Sequence, residues 1–230
     1  MTWMLTSTGQ AVDLRFIGPE CVSVLDIAHH LSQLNRYTGA AKRPYSVAEH
    51  SLLVCEILER ERGERDPQVL LAALMHDAHE AYTADLSTPM KAVVGEAWRR
   101  EEKRVEDAVL HRFGLQSVMA HQRDAVSWAD LTALSTERDA LLPPAGPPWP
   151  VTTSHPPITW WDFDARAKFT WTDWRSAFMD RFAELHYART LGRQDTGPMR
   201  FTQRAPDGAV VGLCIGSAGL VGPGWERIDP

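Results

Sequence analysis

Apolar residues recur three and four positions apart through most of this chain, and that rhythm predicts a helical protein. Val24, Ile27, Ala28 and Leu31 form one such series, behind Ser23, a residue type that caps free backbone amides. Asn35-Arg36-Tyr37-Thr38-Gly39 breaks the pattern. Pro44 and Ser46 then introduce a second helix, with Val47, Leu52, Leu53, Ile57 and Leu58 apolar, and the polar residues 63–67 close it. A third helix is predicted from Pro67, a favoured first-turn residue, running unbroken through His76 and Asp77 to Tyr82. Residues 69–75 are apolar on nearly every side, which predicts a helix in the middle of the fold. Residues 93–113 and 118–142 read as two long amphipathic helices.

The ends of the chain follow other rules. Residues 3–17 hold two short apolar runs around Ser-Thr-Gly-Gln, the pattern of a small β-hairpin. Residues 143–157 contain Pro143, Pro144, Pro147, Pro148, Pro150, Pro156 and Pro157, which predicts a loop and no helix. Tryptophans follow at 160, 161, 171 and 174. A last helix over about residues 172–189 carries Trp174, Phe178, Phe182 and Leu185 on one face. That aromatic stripe needs a partner, so the Pro-rich loop is not a domain boundary. From Gly192 the tail is rich in Gly and polar residues, with one strand-like run at 209–215. The expected organisation is one domain over 1–190 and a C-terminal extension over 191–230.

Composition narrows the class. The chain has 230 residues, 44% of them hydrophobic, enough for one large core. A net charge of -6 argues against a protein that coats nucleic acid, since phosphate neutralisation needs an excess of Lys and Arg. It leaves room for a small phosphorylated substrate in a locally basic pocket. Cys21, Cys55 and Cys214 form no C-x-x-C pair and read as reduced thiols. No basic segment precedes an apolar one at the N-terminus, and no stretch approaches about 18 apolar residues. The expectation is a cytoplasmic protein with no membrane partner.

The chemistry concentrates around His76-Asp77, late in the most apolar stretch, where a polar pair is costly unless hydrogen-bonded or metal-bound. On a continuous helix Glu80 would rise on the same side, and Asp85 follows. Carboxylates packed this closely call for a cation, and imidazole with carboxylate suits a divalent transition metal. The plainer alternative is a helix end, with His76 bonded to a carbonyl and the acids in water. His79 points to another face. His50 and Asp130 are further polar interruptions of helical core patterns.

His50, His76-Asp77 and Asp130, in that order, resemble the H…HD…D signature of the HD-domain metal-dependent phosphohydrolases. Five blocks narrow the resemblance: residues 25–32, 35–39, 45–51, 76–82 and 84–91. They are similar to a branch containing bacterial 5'-deoxynucleotidases and phage-borne deoxynucleoside triphosphate triphosphohydrolases, and the likeness covers roughly residues 5–142. Tyr37 stands where the family often has Phe or Trp.

The resemblance implies an all-α HD-domain helical bundle with a small N-terminal β-hairpin and a mostly irregular C-terminal tail. It implies one divalent metal ion (Co, Mn, Zn, Ni or Mg) held by His50, His76, Asp77 and Asp130. Glu80 and Asp85 would be catalytic, and Arg36, Tyr37 and Lys91 would contact substrate. The implied reaction removes the 5'-phosphate of deoxynucleoside monophosphates by metal-activated water. The alternatives are a triphosphohydrolase of the same family and a non-catalytic, metal-stabilised nucleotide-binding module. The G-Y-P element of cyclic-dinucleotide phosphodiesterases is absent. The expected partner is a small-molecule deoxynucleotide, with no nucleic acid, and the chain is expected to form a homo-oligomer.

Overall fold

The computed structural model describes residues 3–191 and, as backbone alone, residues 200–204, 210–215 and 225–228. It is an all-α bundle preceded by a two-stranded hairpin. Strands β1 (Trp3–Leu5) and β2 (Ala11–Asp13) pair antiparallel with Met4 opposite Val12. Helices α1 (Val24–Gln33), α2 (Val47–Glu61), α3 (Pro67–Leu74), α4 (Glu80–Thr83), α5 (Thr88–Val94), α6 (Glu96–Phe113) and α7 (Gln116–Leu141) follow. Then come the short α8 (Val151–Ser154) and α9 (Phe163–Arg166) and the long α10 (Trp171–Leu191). Among the described residues no helix is long and apolar enough to cross a membrane.

Local chemistry sets the helix starts. Ser23 Oγ accepts from the Leu25 amide at 3.2 Å, Ser46 Oγ from Glu49 at 3.1 Å, and Asp66 Oδ1 from Gln68 at 2.8 Å. The all-round apolar character of α3 has its reason in packing, for α2, α7 and α10 all lie against it. The aromatic stripe of α10 buries Trp174, Phe178, Phe182 and Leu185, and that helix packs on α1, α2 and α3.

Four departures from the periodicity have physical causes. The third helix stops at Leu74, and residues 75–79 form turns before α4. In an unbroken helix Ala73 O would accept from the Asp77 amide. Here it accepts from His76 Nδ1 at 2.8 Å and from the His76 amide at 3.5 Å, and the bond to the Asp77 amide is not made. Residues 93–113 are divided at Gly95, whose φ of 68° and ψ of -140° no helix contains. Within the Pro-rich segment, predicted to hold no helix, one turn forms at α8, starting just after Pro150. The tail carries β3 (Arg200–Arg204), β4 (Val210–Ile215) and β5 (Trp225–Ile228), antiparallel in the order β4-β3-β5, where one strand-like run was expected.

Asp26 ties the hairpin to the bundle. It is fully buried and accepts from Ser7 Oγ at 2.6 Å, the Thr8 amide at 2.8 Å and Thr8 Oγ1 at 2.8 Å. Burial pulls its carboxyl upward, but these bonds outweigh burial and hold it below its ordinary value. A depressed folded-state pKa gives stability that is complete above the unfolded value near ~3.9 and is lost as pH falls. Asp26→Asn should therefore flatten the acid limb of the stability profile, measured by urea denaturation between neutral pH and the carboxylate range. Asp26→Ala should cost about 1–3 kcal/mol, because buried donors lose their acceptor. An unaltered acid limb in the asparagine variant would assign the pH dependence to another group.

Candidate metal centre

Three packed elements bring the ligating atoms together. His50 lies in the first turn of α2, His76 and Asp77 in the turn after α3, and Asp130 on α7. His50 Nε2 and His76 Nε2 face each other at 3.3 Å. Asp77 Oδ2 is 3.4 Å from the first and 3.2 Å from the second. Asp130 Oδ1 is 3.1 Å from His50 Nε2 and 3.9 Å from His76 Nε2. Ligand atoms of His50, His76 and Asp130 all lie within 4.8 Å of one another.

The other ring nitrogens decide what these atoms can do. His76 Nδ1 contacts Ala73 O, which only accepts, so that nitrogen carries the proton. His50 Nδ1 is 2.6 Å from Glu137 Oε1. Burial raises the Glu137 carboxyl, but Arg36 and His50 bring it down to about 2, so it too accepts. In both neutral imidazoles the Nε2 atoms therefore bear lone pairs, aimed at each other and flanked by two carboxylates. Such an arrangement repels itself unless a positive charge, a proton on Nε2 or a metal ion, sits among the four donors. Two imidazoles and two carboxylates also balance a 2+ charge, so the donor set fits one divalent metal ion. Both outcomes for His76 coexist: it bonds a carbonyl through Nδ1 and still offers Nε2.

Glu137 is the functional residue that motif reading missed. It accepts from His50, from Tyr45 OH at 2.9 Å and from Tyr37 OH, and Arg36 Nη2 lies 3.3 Å from its second oxygen. It fixes the tautomer and ring orientation of His50, as a carboxylate behind a metal-ligating histidine would. The one signal in the sequence is position: Glu137 comes seven residues, about two turns, after Asp130, a charge in core register.

The remaining candidates gather around one cavity of about 720 Å³, lined by Arg36, Tyr37, Asp77, Glu80, Asp85, Lys91 and Asp130 among others. That volume is typical of a small-molecule site. Arg36 is not a free loop residue, for its fork is turned to Glu137 and, at 3.6 Å, to Asp77. Tyr37 and Thr38 hold φ of 60° and 53°, a left-handed backbone that is strained for non-glycine residues. Glu80 is buried, and its Oε2 has no hydrogen-bond partner. Burial first, then the charges of Asp77 and Asp85, push its carboxyl well above the usual range. Asp85 is raised as well, mainly by burial. Lys91 Nζ lies 2.6 Å from Glu102 and 3.8 Å from Glu80. His79 faces Glu102 at 3.6 Å, away from the cluster, as its spacing implied.

No protein-family model matches the chain. Two curated proteins are similar to it. An uncharacterized protein of Rhodobacter capsulatus is 36% identical over 142 residues, covering 60% of this chain and 72% of the relative. The uncharacterized protein YfdR of Escherichia coli is 32% identical over 151 residues, covering 66% of this chain and 79% of the relative.

Two measurements follow from the lone-pair geometry. Glu137→Gln should weaken metal binding about 10- to 100-fold, read by calorimetric titration, because the anion that orients His50 is gone. Unchanged affinity would remove Glu137 from the site. Neighbouring carboxylates, outweighing burial, raise the proton affinity of both imidazoles. Protons and metal compete for the same Nε2 lone pairs, so metal affinity should fall as pH is lowered, with proton release on binding. A pH-independent affinity would show that the imidazoles are not ligands.

Proposed function

The chain belongs to the family of Escherichia coli YfdR and its Rhodobacter capsulatus relative, and we propose that it is an HD-domain phosphohydrolase that removes the 5'-phosphate of deoxynucleoside monophosphates. The observation that carries this reading is the shared cavity: Asp77 and Asp130 line the same space as a buried carboxyl at Glu80, a second acid at Asp85 and two cations, Arg36 and Lys91. A purely structural metal site requires none of the last four. The blocks that resemble the 5'-deoxynucleotidase branch supply the substrate class.

His50, His76, Asp77 and Asp130 would hold the ion. When bound, it supplies Lewis acidity to a phosphate oxygen and to the attacking water. Imidazole ligands favour Mn, Co, Ni or Zn over Mg. The protein's own groups move the protons. The water oxygen forms the new bond to phosphorus while the bond to the 5'-oxygen breaks. Asp85 accepts the water's proton, and Glu80, whose burial beside Asp77 and Asp85 favours its protonated form, gives one to the departing 5'-oxygen. Arg36, which lines the cavity beside Asp77, offsets charge building on the phosphoryl oxygens. Removing one proton-transfer group costs typically about 10²–10⁴-fold.

The triphosphate alternative needs free cations for two further phosphates. Lys91, the lining residue best suited to that, is already matched by Glu102 and Glu80, which favours the monophosphate. A panel of deoxynucleoside mono- and triphosphates with Mn, Co, Ni, Zn and Mg tests the choice. Inorganic phosphate released from the monophosphates is the expected product, and inorganic triphosphate from the triphosphates would reverse it. Glu80→Gln should keep its metal, by elemental analysis, and lose about 10²–10⁴-fold in kcat. Loss of metal instead would make Glu80 a ligand, and no turnover by the wild-type protein with any metal would favour the binding module.

A further inference from the structure

We infer that Trp149, carried on the Pro-rich segment after α7, is the wall against which the base of the substrate stacks; this rests on the nucleotide reading above. The segment does not merely connect two helices. Leu142, Trp149, Pro150 and Val151 line the same cavity as the charged groups. Arg36 is ion-paired with Asp77 and Glu137, and Lys91 with Glu80, while the apolar lining comes from this stretch together with Ala40, Leu86, Pro89 and Leu134; Trp149 is the one indole among them. A nucleotide has the same division, a charged phosphate at one end and a planar heterocycle at the other.

Trp149 is held for such a task. Its ring is half-buried, 6.4 Å from the Tyr37 ring and tilted by 44°. The Arg138 guanidinium lies 5.6 Å from its centroid. The same Arg138 donates to Pro143 O at 2.8 Å and to Ala145 O at 3.4 Å, so one side chain anchors both the loop and the ring. Pro147, Pro148 and Pro150 around the tryptophan fix backbone φ and lower the entropy lost when a ligand binds. Residues 143–148 and Pro150 are exposed, and Trp149 between them is half-buried at the cavity. An indole face beside a cavity stacks on any heterocyclic base, through contacts that carry no hydrogen-bond code.

The test compares substrates with and without a base. With the metal-loaded full chain, Trp149→Ala should raise KM for deoxynucleoside monophosphates about tenfold or more, the size of a lost base–aromatic stack. Its loss in kcat/KM on these should exceed its loss on 2-deoxyribose 5-phosphate by a similar factor. Trp149→Phe should recover most of the difference, since a phenyl face still stacks. Equal losses on both substrates, or an unchanged KM for the nucleotides, would overturn the inference and leave Trp149 structural or idle. If the wild-type protein cleaves the sugar phosphate and no nucleotide, the substrate reading itself fails, seen before any variant is made, and the stacking wall falls with it.

Discussion

Glu137 is a carboxylate with no access to water, and the site is built around satisfying it. A buried charge is tolerated only when partners replace its hydration. Here they are Arg36, Tyr37, Tyr45 and His50. All four come from residues 36–50, so one side chain on α7 draws that whole segment inward. The backbone adds its own tie, with Arg36 donating to Tyr45 O at 2.9 Å. Breaking a buried pair of this kind costs about 3–5 kcal/mol, because the surviving charge is left alone. The same contacts that discharge this cost fix the His50 tautomer, so stability and the capacity to hold a metal would share one interaction.

A second constraint lies in the turn after α3. Helical hydrogen bonding and metal-site geometry make competing claims on Ala73 O, and His76 takes it. The helix ends, and Asp77 is freed to swing its carboxylate toward both imidazoles. An unbroken helix would keep His76 and Asp77 about 100° apart around its axis, with less freedom to converge. The interruption in the most apolar helix is thus the condition for placing two donors at one point.

The cavity brings together features that separately look like defects. Tyr37 and Thr38 hold strained backbone, of order 1–3 kcal/mol each. Glu80 keeps a buried oxygen without a partner, and an indole rests on an otherwise exposed loop. All of these residues border the same space as Asp77 and Asp130. Strained backbone and a buried oxygen without a partner beside one cavity are compatible with binding, since a ligand can supply the missing contacts.

Local interactions were legible in the sequence. Ser23, Ser46 and Pro67 mark helix starts, the all-round apolar run of α3 marks the centre, and the spaced aromatics of α10 mark its buried face. Each of these depends on neighbours within a turn or two. His50, His76 and Asp130 were visible as polar residues in apolar settings, because burying them without purpose is costly. Tertiary structure alone decided their partners. His50 and Glu137 are 87 residues apart, and Tyr37 and Glu137 are 100 apart, distances over which periodicity carries no information. It also decided that the helix holding His76 breaks, since that break stems from the ring orientation that the assembled site demands. Trp149 was hidden for the same reason: proline content forecasts a loop, but only packing against α7 determines which cavity the loop borders.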